Sequence, residues 1–178
     1  MTATSTCTLK LAPTVAAVVL LVFTSIAAAQ SPAPDAKAPA ADQPTFTLKA
    51  IGHVQRADGK TRIILEKQYQ PGLLGMEKWS HVMVVWWFDK NDTPQRRAIL
   101  QVHPRGNREN PLTGVFATRS PVRPNLIALT CCKIQSVTDN VIEIDSIDAF
   151  DGTPVIDLKP YVPHFDAAEN ATSPDWAK

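Results

Sequence analysis

LIALTCCKIQSVTDNVIEIDSI, residues 126–147, decides the architecture. Residues 126–137 read as one long strand, Asp139 and Asn140 make a turn, and residues 141–147 answer as the hairpin partner. Upstream, HVMVVWWF (81–88) is a continuous apolar run whose valines and tryptophans make it a buried strand rather than a helix. Shorter strands are expected at 46–54 (FTLKAIGHV), 62–66 (RIILE), 98–102, 114–117 (GVFA) and 153–158. Pro71, Gly72 and Gly75 make 70–78 a turn or short helix, and 103–113 is a loop punctuated by Pro104, Gly106, Asn107, Asn110 and Pro111. RSPVRPN (119–125) cannot be helical, because Pro121 and Pro124 stand three apart. Asp151-Gly152 turns the chain once more. Many short strands, regular turns and no long helical pattern predict an all-β sandwich or barrel with a few short helices.

The rest of the chain is organised around that domain. Lys10, the uncharged apolar run 11–26 and Ala27-Ala28-Ala29 read as a signal peptide over 1–29. Its apolar core, 15–26, is 12 residues long, against roughly 20 for a membrane span. Export to the periplasm or beyond is therefore expected, with an uncleaved membrane anchor as the alternative. Residues 30–44, rich in Ala and Pro, form a flexible tether, 45–166 the folded domain and 167–178 a C-terminal tail.

Charge is unevenly distributed. Residues 90–124 hold seven basic and two acidic side chains, a net +5, whereas 139–175 hold one basic and nine acidic, a net −8. The basic segment suits an anion or a phosphate backbone, or is simply a solvated loop. Cys7 leaves with the signal peptide. The adjacent Cys131 and Cys132 point to opposite strand faces, so a bridge between them would be strained. His53, His81, His103 and His164 are scattered without ligand spacing, so no metal is expected. Ser120 lacks a nucleophile elbow, and no glycine-rich phosphate loop is present.

Three segments stand out. HPRG (103–106) and RSPVRPN (119–125) hold arginines on proline-stiffened backbone, as a clamp on carboxylate or phosphate requires. Arg105, Arg123 and Asn125 are the candidate substrate or phosphate contacts. DAFDGTP (148–154) sets two acids around an aromatic beside a tight turn, suited to ribose hydroxyls and a base. Each alone reads as ordinary turn chemistry. Together they point to a polar ligand carrying both sugar and carboxylate.

GVFATRSPVRPN (114–125) with LIALT, DAFDGTPVIDLKPYVPHFD (148–166) and HPRGNRENPLTG (103–114) resemble the signature of the TrmO/TsaA-like family. Ile51-Gly52 and WSHVMVVWWF (79–88) match more loosely, and the resemblance covers about residues 49–166. It implies a small single-domain β-barrel that works as a homodimer and binds S-adenosylmethionine near the subunit interface. It also implies methyl transfer to the exocyclic nitrogen of threonylcarbamoyladenosine in tRNA, by direct displacement. No catalytic base is assigned. By position, Arg119 matches the family arginine at the cofactor. Leu126, Ile147, Asp148, Ala149, Phe150 and Asp151 match positions lining it. Asp89 and Lys90 fall where the family has a His and a polar residue.

The chain departs from the pattern after its first strand. The family's Arg-Ser-Pro and Pro-Arg-Gln elements are missing, and residues 55–60 lead directly to the next strand. The export signal also conflicts with tRNA as partner, since tRNA and the cofactor are cytosolic. The alternative is an exported ligand-binding barrel that has lost methyl transfer or uses another acceptor.

Overall fold

A computed structural model describes residues 44–178. The expected signal peptide, and all but the last residue of the tether, lie outside the described residues. Within the described chain, residues Thr45–Lys178 form one unit. Its strands are β1 (Gly52–Ala57), β2 (Lys60–Leu65), β3 (His81–Trp87), β4 (Gln101–Val102), β5 (Thr113–Gly114), β6 (Ile127–Thr138), β7 (Val141–Ile144) and β8 (Pro154–Pro160). Six of them close into a barrel in the order β1-β2-β7-β6-β3-β8, and β4 and β5 make a separate two-stranded ribbon. Single-turn helices fill several connections. No helix of the described residues is long and apolar enough to cross a membrane.

Local chemistry explains the hairpins. Asp58 and Gly59 both take positive φ, 55° and 70°, between β1 and β2. That pairing matches the right-handed strand twist and makes a tight two-residue connection. Asp139, with φ 52°, turns β6 into β7. Gly52 is required for another reason: a Cβ there would stand 2.2 Å from the Ile64 carbonyl oxygen. Its pairing partners are Leu65 on β2 and Val155 on β8, so the barrel seam closes at this glycine.

The core follows the two-residue period of the strands. Val54, Ile63, Val82, Val84, Cys132, Ile142 and Val155 are all fully buried. Each such aliphatic side chain contributes about 1.5–3 kcal/mol on leaving water. HVMVVWW is buried on one face only. Val82, Val84 and Trp86 point into the barrel, while Met83, Val85 and Trp87 are half-buried outside it. Their outer neighbours, Cys131, Leu129 and Ile127, are exposed. The continuous apolar run thus reflects an apolar outer seam, not burial on both sides. Cys131 and Cys132 are free thiols, one exposed and one buried, as strand alternation requires.

Other elements differ from expectation. The first strand begins at Gly52. Ile51 is tied in beside it, its N–H donating to the Val155 carbonyl at 2.8 Å and its carbonyl accepting from the Glu66 N–H at 2.9 Å, but 46–50 make no backbone hydrogen bond among the described residues and Phe46 stays 81% exposed. Residues 98–102 shrink to β4, and the hairpin partner 141–147 ends at Ile144. GVFA is not a strand: Val115–Ala117 is a 3-10 turn that follows β5. There Val115 anchors in the interior while Phe116 projects into solvent.

Candidate functional site

A cavity of about 710 Å³ opens where the barrel ends. Its first wall comes from the end of β3. Trp86 donates Nε1–H to the Thr130 hydroxyl at 3.0 Å, and its ring meets Phe88 edge-to-face at 4.7 Å. The chain then turns through Asp89 and Lys90, which pair with each other at 2.9 Å. A polar cluster braces this turn from outside. Asp92 accepts from Arg97 Nε at 2.8 Å and from the Trp87 indole at 3.0 Å. The Arg97 hydrogen bond, and then that of Trp87, hold the Asp92 carboxyl below its usual range. Arg97 also lies over the Trp87 ring and donates to the Pro124 carbonyl, so it joins two walls of the cavity.

The second wall is the RSPVRPN segment. Hydroxyls hold its backbone without helix or sheet. Thr118 accepts from the Ser120 N–H at 3.2 Å, and Ser120 accepts from the Val122 N–H at 3.3 Å. These turns present Arg119 and Arg123 to the cavity. Among the described residues, the Arg119 side chain makes no hydrogen bond, which leaves its five donors available to an anion.

The third wall is the DAFDGTP segment, whose alternation sorts the expected residues. Asp148 and Phe150 line the cavity, and Phe150 is 67% exposed. Ile147 and Ala149 are buried behind them in the core. Asp151 faces away and accepts from the Arg56 main-chain N–H at 2.7 Å. Leu126 is fully buried and off the wall; its carbonyl accepts from the Phe88 N–H. Asn125 is exposed and outside the cavity lining.

Arg105 lies elsewhere, in a second cleft of about 1280 Å³ that shares Thr118, Arg119, Pro121 and Asp148 with the first. Arg105 takes a left-handed backbone, φ 58°, between Pro104 and Gly106. Its guanidinium donates to the main-chain oxygen of Lys178 at 3.0 Å. Arg108 and His103 also line this cleft, and His103 is fixed by the Asn110 carbonyl at 2.8 Å. Of the seven basic groups in the charged segment, Lys90, Arg105, Arg108, Arg119 and Arg123 gather at these two cavities. Arg96 and Arg97 instead bond Asn91 and Asp92.

Two features of the cavity escaped the sequence reading. Thr153 is 1% exposed, lines the cavity, and its hydroxyl has no partner among the described residues. Such an orphaned group calls for an explanation. The other feature is a strand edge. Ile134 N–H bonds Ser80, and Phe88 N–H bonds Leu126, so the even-numbered residues of β6 face β3. The odd ones face away, and β7 pairs with β6 only from Ile134 onward. Asp145 occupies Lys133, while among the described residues the N–H and C=O of Leu129 have no hydrogen-bond partner and form a free edge at the cavity wall. Neither feature has a motif; both arise from strand pairing.

The chemistry of this pocket can be set beside that of known proteins. The family described as tRNA-methyltransferase O N-terminal domain matches residues 50–167. A probable S-adenosyl-L-methionine-binding protein of Methanocaldococcus jannaschii is 46% identical over 114 residues, covering 64% of this chain and 90% of that protein. The human tRNA (adenine(37)-N6)-methyltransferase is 43% identical over 102 residues, covering 57% of this chain but 22% of the human protein. The crystal structure of TrmO from Pseudomonas aeruginosa superposes with a TM-score of 0.56 at 26% identity, covering 72% of this chain and 61% of that one. The chain thus spans most of the archaeal relative but under two thirds of the solved one. Fold, matched span and identity agree: this chain belongs to the TrmO N-terminal domain family.

Proposed function

We propose that the chain binds S-adenosylmethionine in the cavity between Arg119 and Phe150 and acts as a methyltransferase, with tRNA as the acceptor class. The observation behind this reading is the convergence of Arg119, Asp148 and Phe150 on one cavity of about 710 Å³, within the roughly 300–1,000 Å³ usual for small ligands. The residues fit the cofactor part by part. Arg119 would take its carboxylate, Asp148 its ribose hydroxyls, and Phe150 the face of its adenine. The unpartnered Thr153 hydroxyl and the free edge of Leu129 supply further polar contacts. When bound, the cofactor supplies a methyl group on a positively charged sulfur. The protein's part is positional: Trp86 and Phe88 keep water from one wall, and Arg119 fixes the ligand's orientation. The archaeal relatives named as binding S-adenosyl-L-methionine support the cofactor. The mammalian tRNA methyltransferases support the acceptor.

The finer reading is transfer to the exocyclic nitrogen of threonylcarbamoyladenosine, by a homodimer, with Arg105 and Arg108 meeting tRNA phosphates in the adjoining cleft. Residues 10–29 favour a second reading, an exported barrel that binds the ligand without methyl transfer. Calorimetric titration of S-adenosylmethionine into the full chain tests the cofactor. Micromolar affinity is expected, at least about tenfold weaker in Arg119→Ala, which removes charged hydrogen bonds. Absence of heat from the folded parent would overturn the proposal. Methyl transfer from labelled cofactor to tRNA separates the enzyme from the binding module.

A further inference from the structure

We infer that Arg56 is a positioning residue for the cavity, holding the 147–151 segment so that Asp148 and Phe150 face the ligand. The inference rests on the cofactor reading above. Arg56 lies outside the cavity lining, at the end of β1 just before the Asp58-Gly59 turn.

Its placement follows from strand parity. Gly52, Val54 and Arg56 alternate onto one face of β1, and the first two are buried in the barrel. At the strand's end that face runs out of core, so the arginine stem leaves over the barrel rim and its head finds the next backbone along. Nε donates to the Ala149 carbonyl at 2.8 Å, and Nη2 donates to the Ile147 carbonyl. The main-chain N–H of the same residue donates to Asp151 Oδ1 at 2.7 Å. One residue thus engages positions 147, 149 and 151.

Those contacts set the alternation of the wall. The carbonyls of Ile147 and Ala149 are drawn to the guanidinium, and their side chains are buried in the core. The residues between and after them, Asp148 and Phe150, are left facing the cavity. The segment belongs to no strand, so no ladder would hold this arrangement without the arginine. β1 grips it further along through Gly152 N–H to Val54 O at 2.8 Å and Val54 N–H to Thr153 O at 2.9 Å. A planar fork reaches two carbonyls at once, whereas a lysine ammonium would satisfy them less well.

Calorimetry with S-adenosylmethionine, paired with thermal melts, tests this on the full chain. The variants are Arg56→Ala, Arg56→Lys and the control Arg62→Ala. Arg62 comes from the same hairpin but faces Glu143 at 3.6 Å on β7. At a temperature where all are folded, Arg56→Ala is expected to bind about tenfold more weakly or worse, and Arg56→Lys about threefold more weakly. Arg62→Ala is expected to keep the parent affinity even if its melting point falls. A purely structural role would lower the Arg56→Ala melting point and leave affinity unchanged, and that result overturns the inference. If Arg56→Ala does not fold, parent-like affinity in Arg56→Lys overturns it instead. If the folded parent itself binds nothing, the cofactor reading falls and this inference falls with it. Parent binding with unchanged Arg56 variants removes this inference alone.

Discussion

The barrel mouth is a different kind of environment from the barrel wall at the β1–β2 hairpin. Along its length, Val54 and Ile63 are fully buried and paired with each other across the ladder, and Ile142 of β7 continues the same layer. At the barrel mouth, Phe150 and Arg119 are exposed, and among the described residues the buried Thr153 hydroxyl has no partner and the edge of β6 before Ile134 is unpaired by β7. At these positions the wall is closely packed and regularly paired. The mouth departs from that regularity within one cavity. Loops set on a rigid scaffold are where ligands bind, and an orphaned buried group is a departure from the usual pairing that calls for an explanation.

The largest expected effect lies in the wall. Ile63→Ala removes a fully buried side chain from the middle of the closed sheet. Destabilisation of about 2–5 kcal/mol is expected, measured by urea denaturation. At temperatures where the variant remains folded, its affinity for S-adenosylmethionine should stay near that of the parent. A large loss of affinity in folded Ile63→Ala would break the separation between wall and mouth.

A smaller effect of opposite sign is expected at the mouth. Thr153→Val keeps the shape of the side chain and deletes a buried hydroxyl that bonds nothing among the described residues. An unsatisfied buried hydroxyl costs about 1–3 kcal/mol, so the variant should be more stable than the parent. The same change should weaken ligand binding, if the hydroxyl is kept for the ligand. Higher stability with unchanged affinity would assign Thr153 to packing alone. Lower stability would mean that the hydroxyl has a partner after all, such as a bound water, and the contrast would lose its clearest member.

How much of this contrast can be read in advance depends on how local its causes are. The β6–β7 hairpin is legible because the strand run and its turn residues are contiguous. The place of Arg119, Asp148 and Phe150 at the cavity is legible for a similar reason, since they lie in short stiff segments. By contrast, 46–50 looks like strand because Phe46 and Leu48 are apolar, yet both stay exposed and no strand among the described residues pairs with it. Ile147, Ala149 and Leu126 were expected at the cavity, but the alternation that buries them is set by long-range contacts with β1 and β3. Thr153, the free edge at Leu129 and the reach of Arg56 exist only once distant strands pair. A charged residue on the core-facing parity of β1 was the one local clue to Arg56.

The smallest effect concerns the outer brace that links the walls of the mouth. Arg97, foremost, and Trp87 hydrogen-bond Asp92 and hold its carboxyl below the ordinary value of 3.8. A carboxyl depressed on folding stabilises the folded state above its unfolded pKa, and that contribution is lost as pH falls through the lower, folded value. The brace should therefore remain intact at pH 5 and release only below pH 3.8. The indole N–H of Trp87, bonded to Asp92 at 3.0 Å, reports it directly. Its NMR shift should titrate with a midpoint under 3.8, and Asp92→Asn should abolish the titration. A midpoint at or above that value would show that the carboxyl is solvated and the brace open. The turn carrying Asp89 and Lys90 would then lack the support that sets it apart from an ordinary surface loop, and the mouth would be less rigidly built than its arginine, tryptophan and aspartate contacts indicate.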